Sequence, residues 1–173
     1  MSATEPPALV LHDTPIDEPQ ARSLIEELQQ EYVVRYGGPD ETPVDPREFD
    51  PPTGVFLVAE LGDTLIGCVG LRRHDETTVE LKRLFVRPDH RRGGLGRILL
   101  FAAERRALEL GYSKILLETG TEQPEAVSLY TSTGYQPHEN IGHYRHSESS
   151  QMYSKTLTPD VPESAAELDE PLG

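Results

Sequence analysis

The spacing of apolar and polar positions changes several times along the chain, and each change marks an element. "ALVLHD" (8–13) predicts a first strand. From Pro19 the period lengthens: Ala21, Leu24, Ile25, Leu28 and Tyr32 recur at helical spacing, with proline favourable in the first turn and Gly37 a favourable stop. "GVFLVAE" and "TLIGCVGLRR" flank "LGD" and predict a hairpin, and "TTVELKRLFV", after "HDE", extends it into an antiparallel meander. A second helix starts in a glycine-rich stretch and runs to about Leu110, stopped by Gly111. "SKILLET" predicts a fifth strand, "QPEAVSLYTST" a short helix and "QMYSKTL" a last strand. The order β-α-β-β-β-α-β-α-β is that of an α+β or mixed-sheet domain.

Composition bounds this picture. A chain of 173 residues, 36% hydrophobic, accommodates one domain with a sizeable core. We assign that domain to residues 8–157, with a flexible N-terminus at 1–7. Residues 158–173, "TPDVPESAAELDEPLG", combine three prolines with five carboxylates and predict a disordered acidic tail. The irregular stretch 37–54 holds five prolines; a loop of that length is functional or mobile. The lone cysteine, Cys68, lies in the apolar run "LIGCVG" and reads as a buried thiol, which leaves no intramolecular disulfide and no cysteine-based metal cluster. His138, His143 and His146 lack the spacing of a metal site and read as loop surface. No metal is expected.

A net charge of −14 argues against general nucleic-acid binding, which needs a basic face. No apolar run reaches the roughly 20 residues of a membrane span, and the acidic start lacks the basic region of a signal peptide. The expectation is a soluble cytoplasmic protein.

Against this acidic background "VRPDHRRGGLGRILL" (86–100) stands out, with four arginines and with glycines at 93, 94 and 96 where a strand gives way to a helix. Bare amides in the first turn of a helix, beside Arg91, Arg92 and Arg97, make an anion site, and phosphate is the natural guest. The segment is neither a P-loop, since no lysine and hydroxyl pair follows, nor a dinucleotide fingerprint, since the preceding strands form a meander.

From Arg91 the segment reads R-x-x-G-x-G, which resembles the pyrophosphate-binding motif of the GNAT superfamily, the acetyl-coenzyme A dependent N-acetyltransferases. "LKRLFVRPDHR" before it and "LETGTEQPEAVSLYTSTGY" after it resemble the same superfamily's strand-loop-helix core and its second block, A-x-x-x-Y-x-x-x-G-Y/F. The resemblance covers about residues 8–157. It implies a mostly antiparallel sheet flanked by helices and splayed between the fourth and fifth strands, with acetyl-CoA in the gap. Leu84, Phe85 and Val86 would hold the pantetheine arm, and Arg91, Arg92, Gly93, Gly94, Leu95, Gly96 and Arg97 the pyrophosphate. Gln123 stands where the family often has an asparagine that contacts pantetheine.

Acetyl transfer to an amine needs a neutral amine, a polarised thioester carbonyl and a proton for the departing thiolate. The resemblance places Tyr130 as the general acid that protonates the thiolate; the alternative is a packed core tyrosine. A backbone N–H on the fourth strand, with Leu84 the candidate, would polarise the carbonyl. Glu80, four residues earlier and on the same face by strand alternation, occupies the position of a general base in some family members; the alternative is an ion pair with Lys82 or exposure to solvent. Tyr144 with Ser149 or Ser150 would contact the acceptor. The implied partner is a small-molecule amine, in the manner of bacterial enzymes acting on amino acids or related metabolites, by direct transfer in a ternary complex. A protein amine as acceptor, a non-catalytic acyl-CoA binding module and a homodimer all stay open.

Overall fold

The computed structural model describes residues 8–40, 44–140 and 150–159. Seven strands form one sheet in the order β1 (Leu9–Asp13), β2 (Val55–Leu61), β3 (Thr64–Arg73), β4 (Thr78–Val86), β5 (Lys114–Gly120), β7 (Ser150–Thr156) and β6 (Gln136–His138). Three helices complete the fold: α1 (Pro19–Tyr36), α2 (Leu95–Glu109) and α3 (Pro124–Ser132). Every strand pair is antiparallel except β4 with β5. This is the expected mixed sheet. Among the described residues no helix is long and apolar enough to cross a membrane. The expected tail from 160 onward and the N-terminus to residue 7 lie outside the described residues.

Core packing follows the sequence periods. On one face of the sheet Leu99, Leu100, Ala103 and Ala107 of α2 cover Val69, Leu71, Val79, Ile115 and Leu117. On the other, Ala21, Leu24 and Leu28 of α1 pack with Phe56, Val58, Cys68 and Phe85. Gly37 ends α1 as foreseen, with φ of 80° and its N–H on Val33 O at 2.9 Å.

Two features depart from the sequence expectation. The proline-rich stretch 37–54 contains a short 3₁₀ helix at Pro46–Phe49, closed by a capping box in which Asp45 and Glu48 satisfy each other's backbone. It buries Phe49 against Gly70, where a Cβ would come within 2.8 Å of the Phe49 and Phe56 rings. His138 belongs to the three-residue strand β6 rather than to a loop, because antiparallel pairing with Met152 of β7 captures it.

Two details of β4 position the site. Its pairing with β5 stops after four pairs, the last being Leu81 with Leu117, so the strands part beyond Leu81 as the splayed sheet requires. Just past that point β4 carries a bulge: Gly70 pairs with Lys82 but Cys68 pairs with Phe85, and Arg83 adopts φ of 61°. The bulge corrects the expected alternation. Val79 and Leu81 face the α2 side, so Glu80 faces the other; after the extra residue Leu84 and Val86 join the α2-side core. Glu80 and Leu84 therefore lie on opposite faces.

Candidate active site

A cavity of about 970 Å³ passes through the sheet where β4 and β5 diverge. Leu28, Tyr32 and Tyr36 of α1 line it from one face, and Leu95 of α2 with Leu129 and Tyr130 of α3 from the other. Leu84, Phe85 and Val86 of β4 form a wall between them.

At one end lies the start of α2. Gly94, its N-cap residue, has φ of 83°, a conformation glycine adopts without strain, and no side chain caps the helix. The Ile98 amide is tied back to the cap, on Gly94 O at 3.0 Å. A Cβ built on Gly94 would meet nothing within 4 Å, and one on Gly96 would only touch Leu129 at 3.5 Å. Among the described residues none fills the space these glycines leave. An uncapped 15-residue helix with an open glycine start, flanked by Arg92 and Arg97 on the cavity wall, fits a bound diphosphate.

Arg91 also lines the cavity, but its guanidinium is folded back. Its Nε donates to Val86 O at 2.8 Å, its other end pairs with Glu31, and its Cζ stands 5.7 Å from the centre of the Phe85 ring. Gln123 lines the cavity too, with its amide directed at the Tyr36 hydroxyl at 3.3 Å. Gly93 is adjacent but not part of the wall.

Tyr130 is 5% exposed. Its ring packs edge-on to Tyr135, with centroids 5.6 Å apart, and tilted against Tyr153 at 6.5 Å. The motif around it holds α3 in place: Thr133 Oγ1 caps Leu129 O at 2.7 Å, and Gly134, at φ of 97°, lets Tyr135 N return to Tyr130 O at 3.0 Å. The Tyr130 hydroxyl makes no hydrogen bond among the described residues. Burial, with smaller contributions from Tyr32 and Glu118, raises this phenol above the ordinary tyrosine range. It stays protonated at any physiological pH.

Glu80 is not part of the cavity wall. Arg72 holds its carboxylate through Nε at 3.0 Å and a terminal nitrogen at 2.8 Å, both side chains being 13% exposed. The expected alternative partner, Lys82, instead reaches Asp40. Tyr144 and Ser149 lie outside the described residues; Ser150 lines the cavity.

Several wall residues were not anticipated. Glu118 is the first β5 residue beyond the last pair with β4, and its charge acts on both Tyr130 and Tyr32. Asp40, Lys82 and Arg83 form a charged cluster beside Tyr32. A carboxylate interrupting the apolar run "KILLETG" was a readable signal for Glu118; nothing in the sequence announces the bulge that turns Arg83 inward.

The acetyltransferase (GNAT) family matches residues 21–135. The chain belongs to the GNAT acetyltransferase family. It is 32% identical over 140 residues to IAA acetyltransferase of Azospirillum brasilense, covering 80% of this chain and 91% of that protein. A crystal structure from Klebsiella pneumoniae, described as that of an acyl-CoA N-acyltransferase, superposes with a TM-score of 0.72 at 28% identity, over 87% of this chain and 98% of the other. A GNAT family acetyltransferase from Elizabethkingia anophelis, solved with acetyl-CoA bound, shares the fold with a TM-score of 0.62 at 18% identity over 86% and 98% of the two chains. The protein is accordingly an acyltransferase.

Proposed function

We propose that this GNAT protein transfers the acetyl group of acetyl-CoA to a primary amine of a small molecule by direct transfer in a ternary complex. The observation that carries the reading is that the open glycine start of α2 and the unbonded Tyr130 hydroxyl share one cavity. When bound, acetyl-CoA supplies an activated thioester.

The amides of the first α2 turn, with Arg92 and Arg97, receive the diphosphate, and Arg91 joins them on leaving Glu31. Backbone groups of Leu84, Phe85 and Val86, past the parting of β4 from β5, align the pantetheine arm; an N–H there, with Leu84 the candidate, polarises the thioester carbonyl. Tyr130 Oη gives its proton to the departing sulfur. The Glu118 carboxylate, on the cavity wall near Tyr130, draws the proton from the incoming ammonium. Glu80, sequestered by Arg72, holds β3 to β4 instead.

Release of free thiol from acetyl-CoA across a library of primary amines tests the reading. We expect one class of small amines to stimulate release; acetyl-CoA binding with no stimulation by any amine would overturn it in favour of a non-catalytic acyl-CoA binding module.

A further inference from the structure

The part of the cavity around Tyr32, Lys82 and Arg83 carries an unusual concentration of charge. Lys82 and Arg83 are sequence neighbours, which a regular strand would send to opposite faces. The bulge instead turns both toward one carboxylate oxygen, Asp40 Oδ2, at 3.2 Å from Lys82 Nζ and 2.8 Å from Arg83. Their side chains are only 5% and 7% exposed, yet both line the cavity. Burying two cations is costly, and an arginine held at φ of 61° adds backbone strain of the sort retained at functional sites. The bulge is itself held by Cys68 Sγ, which donates to Arg83 O at 3.3 Å.

Asp40 shows what this arrangement binds: a carboxylate. Arg83 has five N–H donors, and among the described residues it donates one side-chain hydrogen bond, to Asp40. Arg83 lines the cavity, so a ligand there meets a guanidinium with donors beyond the one directed at Asp40. A guanidinium fork suits a second carboxylate in particular. Glu118 lines the same cavity, and its charge, with those of Asp40 and Arg83, acts on the Tyr32 phenol. This wall thus presents a cationic pair and a carboxylate whose charge also acts on Tyr130.

We infer that the acceptor is an α-amino acid or a close analogue, its carboxylate held by Arg83 and Lys82 while its amine is directed to Glu118 and Tyr130. This rests on the acetyl-transfer reading above and narrows it to amines that carry a carboxylate.

The test compares α-amino acids with their own amides and their decarboxylated amines as acceptors, by thiol release with the full chain. The wild type should favour the acids by about 10-fold or more in kcat/KM, the worth of one charge-assisted contact. Arg83→Asn, chosen because asparagine tolerates a left-handed backbone, should collapse that ratio mainly through KM for the acids. Equal or better use of the amides by the wild type, or an Arg83→Asn loss shared equally by acids and amides, would overturn the inference. If no amine stimulates thiol release, acetyl transfer itself has failed, and calorimetric titration of the same acid and amide pairs into the coenzyme A-loaded protein decides the carboxylate question separately. Tighter binding of the acids upholds it, and equal or absent binding overturns it.

Discussion

Glu104 of α2, with no exposed surface, accepts hydrogen bonds from Lys155 Nζ of β7 at 2.8 Å and from the Tyr135 hydroxyl at 3.1 Å. A carboxylate at the centre of the α2-side core needs such partners, because an unpaired buried charge is strongly destabilising. The arrangement clamps the helix that starts the glycine site to the strands behind Tyr130, since Tyr135 packs on the Tyr130 ring.

Removing one partner should therefore cost stability rather than chemistry. Lys155→Met leaves Glu104 without its cation and should destabilise the fold by about 3–5 kcal/mol in chemical denaturation. Desolvation outweighs Lys155 and raises the Glu104 carboxyl above its usual value of 4.5, so the folded state takes up a proton more readily than the unfolded one. The sign follows: as pH rises from about 4.5 through the raised value, wild type loses stability relative to Glu104→Gln. A stability difference between the two that is flat with pH would contradict it.

Tyr130→Phe removes one hydroxyl and keeps the packing on Tyr135 and Tyr153. Acetyl-CoA affinity and thermal stability should hold while kcat falls by about 10² to 10⁴, provided that chemistry limits turnover. Because the phenol is raised, loss of the acid should not bend the wild-type pH–rate profile below the ordinary tyrosine range near 10. Single-turnover acetyl transfer at saturating acetyl-CoA measures this directly, and equal rates would return Tyr130 to a packing role.

The two glutamates should separate cleanly. Glu118→Gln should lower turnover, with the deficit shrinking at high pH where the amine is already neutral. Glu80→Gln breaks a partly buried pair with Arg72 and should act chiefly on stability. The opposite pattern, a pH-dependent rate loss in Glu80→Gln alone, would restore Glu80 as the base.

At Gly94 the backbone and the open space make different demands. Gly94→Ala meets no neighbour but forces a side chain into a left-handed conformation, at about 1–2 kcal/mol of stability. Gly94→Glu adds a negative charge at the diphosphate seat and should abolish acetyl-CoA binding in a folded protein. Unchanged affinity by calorimetric titration would refute the seat.

Periodicity was sufficient for all three helices and six of the seven strands, because their apolar faces are continuous and their stops are glycines such as Gly37 and Gly111. It missed β6, three residues long with Pro137 at its centre, which exists only because β7 offers a partner. The glycine junction at the start of α2 and the helical setting of Tyr130 are legible because both depend on local sequence. The expected shared face of Glu80 and Leu84 fails for the opposite reason: alternation assumes a regular strand, and the extra residue at Arg83 reverses which side chains share a face. Arg91 carried the motif, yet its pairing with Glu31 depends on where α1 docks, which no local pattern encodes.

The four residue pairs that join β4 to β5, Thr78 to Leu81 against Lys114 to Leu117, are the sheet's sole backbone ladder between its first four strands and its last three. Mechanically they act as the fulcrum of a wedge. The distance between the β4 wall and the Tyr130 hydroxyl on the far jaw depends on the angle held there, by side chains such as Leu81 and Leu117 that sit in the core. A change of volume at the fulcrum would shift one jaw against the other, so the spacing across the cavity is tied to packing at a point where the sheet is still closed.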